Sequence, residues 1–141
     1  MNRKIIFVTR LLSLFIFILS LTQNALCFSH KCLDSLWAFS TGWILLVVGG
    51  ANLSWLTNGL LISSLITIGK SKKTTLILVL SGIFFGMLPL LTRKIAIDEA
   101  GTLRPIITFE LGYWLWLLSI IIILLGVILL FWNEKTKPNT V

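Results

Sequence analysis

One segment limits the possible folds of this chain more than any other: it runs from Leu111 to Phe131 and reads LGYWLWLLSIIIILLGVILLF. Its 21 residues include no ionisable side chain except the phenol of Tyr113. As a helix with a rise of 1.5 Å per residue it would be about 31 Å long, which matches the hydrocarbon core of a bilayer. Because a backbone in lipid must satisfy its own hydrogen bonds, the segment predicts a membrane-spanning helix.

The composition extends this interpretation to the whole chain. Hydrophobic residues make up 57% of the 141 residues and charged residues only 12%, with a mean hydropathy of +1.00. A chain of this length cannot bury so much apolar surface in one water-soluble core. We therefore predict an all-α fold, an integral membrane helical bundle with about four to five transmembrane or membrane-embedded helices.

The net charge of +7 comes from 12 Lys and Arg residues against 5 Asp and Glu. The basic residues lie mostly in short runs between apolar blocks, where they set membrane topology and contact anionic headgroups. No basic patch is interleaved with aromatic residues, as a nucleic-acid surface would require. We expect the lipid bilayer as a partner, and no nucleic acid.

The apolar blocks divide the chain into three parts. Residues 1–27 resemble a signal peptide or a signal anchor, residues 28–134 a helical membrane domain, and residues 135–141 a polar tail. The helices predicted in the membrane domain cover residues 36–48, 60–69, 74–92 and 111–131.

The N-terminal part allows two interpretations. Arg3 and Lys4 precede the apolar run Leu11 to Leu21, as in a secretory signal peptide that is cleaved after Cys27. Cysteine is a mediocre residue at a cleavage site, however, and Ile5 to Val8 extends the apolar run, as in an uncleaved signal anchor. Both interpretations stay open.

Residues 35–69 are too long for one straight span, because a 35-residue helix would be about 52 Å long. Gly49-Gly50, Asn52 and Asn58-Gly59 are the obvious breakers, and Asn58 can cap a helix that begins at Gly59. The two halves either make one net crossing together or cross separately.

The positive-inside rule bears on this choice. One net crossing places eight Lys and Arg residues inside and four outside, whereas two crossings place six on each side. The charges favour one crossing. The need for two separate helices in residues 35–69 favours two crossings.

Two cysteines and the only histidine form a cluster: Cys27, His30 and Cys32. Thiolates and an imidazole suit zinc, but structural zinc uses four protein ligands and the chain has no other Cys or His. We expect no metal site and no cofactor here. The alternatives are a small disulfide outside the cytoplasm or a free thiol left after signal cleavage.

No catalytic residues are predicted either. A single histidine cannot supply a two-His metal motif, and no Ser-His-Asp constellation or Gly-rich phosphate loop is visible. Residues 74–92 and 111–131 lack Asp, Glu, Lys, Arg and His, so they offer no proton relay at mid-membrane depth. The sequence therefore predicts a protein that is not an enzyme.

Small residues predict close contacts between helices. Gly82 and Gly86 form a GxxxG pattern, while Gly112, Ser119 and Gly126 recur every seven residues along one helix face. These patterns fit packing within the chain and dimerisation equally well.

Aromatic residues near the predicted helix ends are expected to anchor the bundle at headgroup level. They are Trp37, Trp43, Trp55, Tyr113, Trp114, Trp116 and Trp132.

One polar connection is a candidate recognition surface for a partner. Its candidate residues are Asp98, Glu99, Gly101, Thr102 and Arg104. Two adjacent carboxylates beside an arginine suit a cation or a basic partner. The alternative is a solvated turn in which Gly101 allows the chain to reverse.

Several motifs also resemble a group of small uncharacterised bacterial multi-spanning integral membrane proteins. They are Gly42-Trp43, Gly49-Gly50, Trp55, Asn58, Asp98-Glu99, Gly101-Thr102, Pro105-Ile106 and Gly112-Tyr113-Trp114-Leu115-Trp116. Proline follows the asparagine in that group, whereas this chain has Gly59. The resemblance implies a bacterial inner (cytoplasmic) membrane and a multi-spanning fold, and it brings no known activity.

Three functional hypotheses fit these observations. The first is a non-enzymatic inner-membrane protein that acts through helix or loop contacts with a membrane protein partner, or with further copies of itself. The second is an immunity-type protector against a pore-forming bacteriocin or a contact-delivered toxin. The third is an accessory subunit of a small channel or transporter.

Overall fold

The computed structural model describes residues 2–29, 31–98 and 100–135. Within these residues the chain forms five α-helices, two 3-10 turns and five short strands. The helices are α1 (Asn2–Leu21), α2 (Ser35–Thr41), α3 (Leu56–Thr67), α4 (Lys72–Thr92) and α5 (Leu111–Lys135), and the 3-10 turns are Ile44–Val48 and Gly50–Trp55. The strands are β1 (Asn24–Cys27), β2 (Cys32–Asp34), β3 (Lys94–Ala96), β4 (Leu103–Pro105) and β5 (Thr108–Phe109).

The prediction of a mostly helical chain is confirmed, but the prediction of an all-α fold missed the strands. They form an antiparallel sheet in the order β2-β1-β5 and a separate β3-β4 hairpin. Both lie where α1 and α4 end and α5 begins. Extended segments that leave neighbouring helix ends side by side pair their backbones, which otherwise would need other hydrogen-bond partners. We call this part of the molecule the sheet end.

Three helices contain segments that are long and apolar enough to cross a membrane: Arg3–Leu21, Lys72–Thr92 and Leu111–Glu134. The α5 helix is antiparallel to both of the others. Thr9 of α1 lies against Gly126, and Lys72 at the start of α4 forms an ion pair with Glu134 near the end of α5. The start of α1, the turn from α3 to α4 and the end of α5 therefore lie together, and we call this the basic end.

Residues 35–67 pass from the sheet end to the basic end once. The Thr57 hydroxyl at the start of α3 donates to the Gly82 carbonyl, halfway along α4, at 2.8 Å. The Thr75 hydroxyl near the start of α4 donates to Thr67 at the end of α3, at 3.0 Å. Because α3 covers only the half of α4 towards the basic end, the second 3-10 turn packs against the half towards the sheet end. This path is a single net traverse.

The helix boundaries in this region differ from the predicted ones. The α2 helix ends at Thr41, and the Trp55 indole N–H donates to the Phe39 carbonyl in its last turn at 2.9 Å. The α3 helix begins at Leu56, so Asn58 is not its cap. Asn58 instead lies inside α3, where its side-chain oxygen accepts a hydrogen bond from Trp116.

The main core lies between α1, α3, α4 and α5. Its fully buried members are aliphatic side chains: Leu61, Ile68, Val79, Ile120, Ile123, Val127 and Leu130. A second small cluster, Leu26, Ile106, Tyr113 and Leu117, lies beneath the strands and holds the sheet end against α5.

Candidate functional site at the sheet end

The small residues predicted to mediate helix contacts lie against residues of the same chain. A Cβ added to Gly82 would collide with the end of the Ile120 side chain, and one added to Gly86 would lie 2.7 Å from a methyl group of Leu117. The GxxxG motif therefore allows α4 to lie close to α5.

The three predicted small residues of α5 also have close neighbours. A Cβ on Gly112 would meet the Ser35 side chain and the Asn24 carbonyl, and one on Gly126 would lie 2.5 Å from Thr9. The carbonyl of Ser119 accepts a hydrogen bond from the Ser13 hydroxyl at 2.8 Å.

Two internal hydrogen bonds hold the first turns of α5 in place at the sheet end. The Tyr113 hydroxyl donates to the Gly86 carbonyl at 2.7 Å, and the Trp116 indole N–H donates to the Asn58 side-chain oxygen at 2.8 Å. These polar atoms are engaged inside the molecule, so they do not form the lining of an open polar path.

The predicted aromatic anchors fall into two groups. Four are substantially exposed: Trp37, Trp43, Trp114 and Trp132. The other three have internal partners: Tyr113 donates to Gly86, Trp55 to Phe39 and Trp116 to Asn58. Their position at headgroup level stays a prediction. Their spacing from the helix ends did not reveal these internal partners.

The predicted recognition loop forms a tight exposed turn. The Thr102 backbone N–H donates to the Asp98 carboxylate at 2.9 Å, and Gly101 has a φ of 76°, a conformation that favours glycine. The hydrogen bond from Thr102 is the main cause that lowers the pKa of Asp98, and the nearby Arg104 charge lowers it further. Glu99 lies outside the described residues.

A second exposed surface adjoins this loop. The segment Trp43 to Gly50 forms a corner, in which Gly49 and Gly50 have φ values of 73° and 60°. A Cβ on Gly101 would lie 3.5 Å from Val48, so the corner and the loop touch. The corner presents apolar side chains to the outside, and Val47 is 93% exposed.

The cysteines pair with each other. Cys27 and Cys32 form a disulfide that joins β1 to β2, with their Cα atoms 3.9 Å apart. The two thiols are therefore not metal ligands in this structure, and the disulfide interpretation is the one that applies. His30, the third member of the cluster, lies outside the described residues.

Two polar residues that were not predicted as site residues complete the sheet end. Ser35 and Asn52 are buried there, beside a cavity beneath the strands. The sequence indicated Asn52 only as a helix breaker two residues after a glycine pair, a pattern that predicts a turn as readily as a site. No family model, curated protein or solved structure matches the chain.

Proposed function

We propose that the protein is an integral membrane protein in which α1, α4 and α5 span the bilayer and residues 35–67 add a broken, partly re-entrant crossing. The outward faces of the three long helices support this. Large apolar side chains there are more than half exposed, namely Phe7, Phe15, Ile77, Phe84, Leu91 and Leu125. Such a surface is stable in lipid and a liability in water.

We further propose that the basic end faces the cytoplasm of a bacterial cell and that the sheet end lies outside. Arg3, Lys4, Lys70, Lys72 and Lys73 belong to the basic end. This is the arrangement with eight basic residues inside and four outside. The Cys27–Cys32 disulfide supports the same orientation, because disulfides persist in oxidising compartments.

Within that membrane, the protein is proposed to act by contact with a second membrane protein, without catalysing a reaction. The observation that carries this is the exposed apolar corner beside the loop. Trp43, Ile44 and Val47 project outward at a five-residue 3-10 turn that is followed by Gly49 and Gly50. Such a short turn leaves backbone groups at its ends without internal hydrogen-bond partners, which is unfavourable against lipid, so a protein partner suits this corner better than acyl chains do.

The loop adds polar contacts to the apolar corner. Asp98 and Arg104 are exposed residues of the same loop as Gly101, which touches Val48, so the loop offers one negative and one positive charge at the rim. An apolar centre with a charged rim is the usual composition of a protein interface. The protector and accessory-subunit hypotheses stay predictions, since no feature of the described residues favours either.

Photo-crosslinking in cells tests the contact. A photoreactive amino acid replaces Val47 in one variant and Ile77, an equally apolar exposed position on α4, in the matched control. We expect Val47 to give a discrete crosslink to a second membrane protein and Ile77 to give lipid adducts. Crosslinks from Val47 to lipid alone, or to further copies of this chain alone, would overturn the proposed hetero-partner.

The membrane placement is tested separately by extraction. Membranes washed with alkaline carbonate should retain the full chain, and detergent should release it. Recovery of monodisperse protein in the carbonate supernatant would contradict the proposed spans.

A further inference from the structure

A cavity of about 110 Å³ lies beneath the strands at the sheet end. It is enclosed by α2, the second 3-10 turn, β1, β3 and the first turns of α5. Most of its wall is apolar, and five aromatic side chains contribute to it: Trp37, Phe39, Trp55, Tyr113 and Trp116. The cavity is only partly enclosed, and Trp37, at 47% exposed, is the most exposed residue of its wall.

Two buried polar side chains that line this cavity lack partners among the described residues. Asn52 is 4% exposed, and neither its amide oxygen nor its amide nitrogen has a hydrogen bond. The Ser35 hydroxyl also has no hydrogen bond, and Ser35 is 8% exposed. Buried polar groups are normally paired, so two unpaired ones at one cavity indicate a missing partner.

The chemistry of the wall restricts that partner. No Asp, Glu, Lys, Arg or His is among the described residues that line the cavity, so a charged group would lose its hydration without compensation. An asparagine amide offers one acceptor and a donor group side by side. Its complement is an uncharged group that can both donate and accept, and a hydroxyl is the smallest such group.

The size of the cavity restricts the partner further. An apolar cavity of about 150 Å³ holds one benzene molecule, so this one takes a hydroxyl with the first few carbons of its apolar body. A longer apolar chain would leave through the opening beside Trp37.

We propose that the cavity binds a neutral amphipathic alcohol, whose hydroxyl donates to the Asn52 amide oxygen and accepts from its nitrogen while its carbons contact the aromatic wall. Two sources share this chemistry: a neutral membrane lipid with a free hydroxyl, such as a diacylglycerol, and a small diffusible alcohol. Leu45 of the Trp43–Gly50 corner contributes to the cavity wall, but the exposed corner side chains Trp43, Ile44 and Val47 do not, so the proposal does not depend on a protein partner there.

Photoaffinity labelling of the full-length protein in a detergent without hydroxyl groups tests the proposal. The probe is a ten-carbon alcohol that carries a diazirine, and the matched probe is its methyl ether, which cannot donate a hydrogen bond. We expect saturable labelling of peptides that contain Trp37, Trp55 or Trp116 by the alcohol, with at least tenfold weaker labelling by the ether. Equal labelling by the two probes, or none at these peptides, would overturn the proposal and leave ordered water as the partner of Asn52.

Variants assign the hydroxyl contact. Asn52→Leu should weaken labelling by the alcohol probe about tenfold and leave labelling by the ether probe unchanged. Asn24→Leu, at an exposed asparagine outside the cavity, should change the labelling by neither probe. If Asn52→Leu fails to elute as a single species, Ser35→Ala replaces it, with an expected weakening of about threefold. Unchanged alcohol binding in a folded variant would count against the assignment.

Competition distinguishes the two sources. If the site takes a lipid, dioleoylglycerol should displace the alcohol probe at low mole fraction. If the site takes a small alcohol, hexanol should displace the probe and dioleoylglycerol should not. Failure of both to compete would refute a site for alcohols.

Discussion

The Nε atom of Arg10 lies 2.8 Å from the carbonyl oxygen of Leu65, and one of its terminal nitrogens lies 3.3 Å from that of Ile66. Both carbonyls belong to the last turn of α3, where helical N–H partners run out. A cation at this position also complements the negative end of the helix dipole. Arg10, which interrupts an otherwise apolar part of α1, therefore caps a helix that lies more than fifty residues further along the chain.

Replacing this arginine tests the cap. Arg10→Met keeps the apolar stem but leaves two carbonyls without their donor, so we expect a loss of about 2 kcal/mol in the free energy of unfolding. Arg10→Lys should lose less, since an ammonium still donates to one carbonyl. Reversible unfolding in mixed detergent micelles measures both. The control is Arg3→Met at an exposed position, and an equal effect there would argue against a cap.

The loss of unfolding free energy caused by a glycine-to-alanine substitution should depend on the atoms that the new methyl group contacts. Gly112→Ala would meet the Asn24 backbone carbonyl at 2.6 Å, which cannot move aside, so we expect a loss of about 2–3 kcal/mol. Gly82→Ala meets only the flexible end of Ile120 and should cost about 1 kcal/mol.

The matched control for this series is Gly59→Ala. That glycine lies inside α3 with nothing within 4 Å of an added Cβ, so alanine should stabilise the helix by about 0.5–1 kcal/mol. The same unfolding assay ranks all three variants. A Gly82→Ala loss larger than that of Gly112→Ala would contradict the packing described here.

The loop at Asp98 should respond to acid. Because the Thr102 N–H favours the charged carboxylate, the pKa of Asp98 is lower in the folded chain than in the unfolded one. Its contribution to loop order is thus present above the unfolded pKa and is lost as the pH falls through the folded value. The Thr102 amide resonance followed by NMR should titrate below the ordinary aspartate range. In Asp98→Asn that titration should vanish, and a midpoint above the ordinary range would contradict the turn.

The long apolar segments of the sequence were enough to predict the long helices. Residues 74–92 and 111–131 were recognised because only a helix satisfies the backbone of a long apolar segment in lipid, and the structure places α4 and α5 there. The end of α2 could not be predicted in this way. The last turn of α2 has a distant partner, because its Phe39 carbonyl accepts from the Trp55 indole sixteen positions further along the chain.

The sheet end was less accessible to sequence analysis for the same reason. Strands of two to four residues, such as β5, carry too little alternation to be recognised, and they form because helix ends meet there. Asn52 and Ser35 are candidate site residues because they are buried without hydrogen-bond partners, which depends on the tertiary structure around them. Tyr113 and Trp116 are similar, since residue type and position favoured an interfacial role and tertiary hydrogen bonds place their polar atoms inside.

The packing of α1 predicts that it stays in the mature protein. Thr9 fills the space above Gly126, the Ser13 hydroxyl donates to the Ser119 carbonyl, and Arg10 caps α3. Removal of residues 1–27 would open this face of α5 and would also remove Cys27 from the disulfide. Peptide mass spectrometry of protein purified from its own membrane should therefore find the α1 residues 2–21 in the mature chain. As a control, a chain that begins at Phe28 behind an unrelated cleavable signal should fail to accumulate, because α5 then lacks its most extensive neighbour. A mature chain that starts near Phe28, with the α3–α5 helices still folded, would show instead that α1 is a cleaved signal peptide.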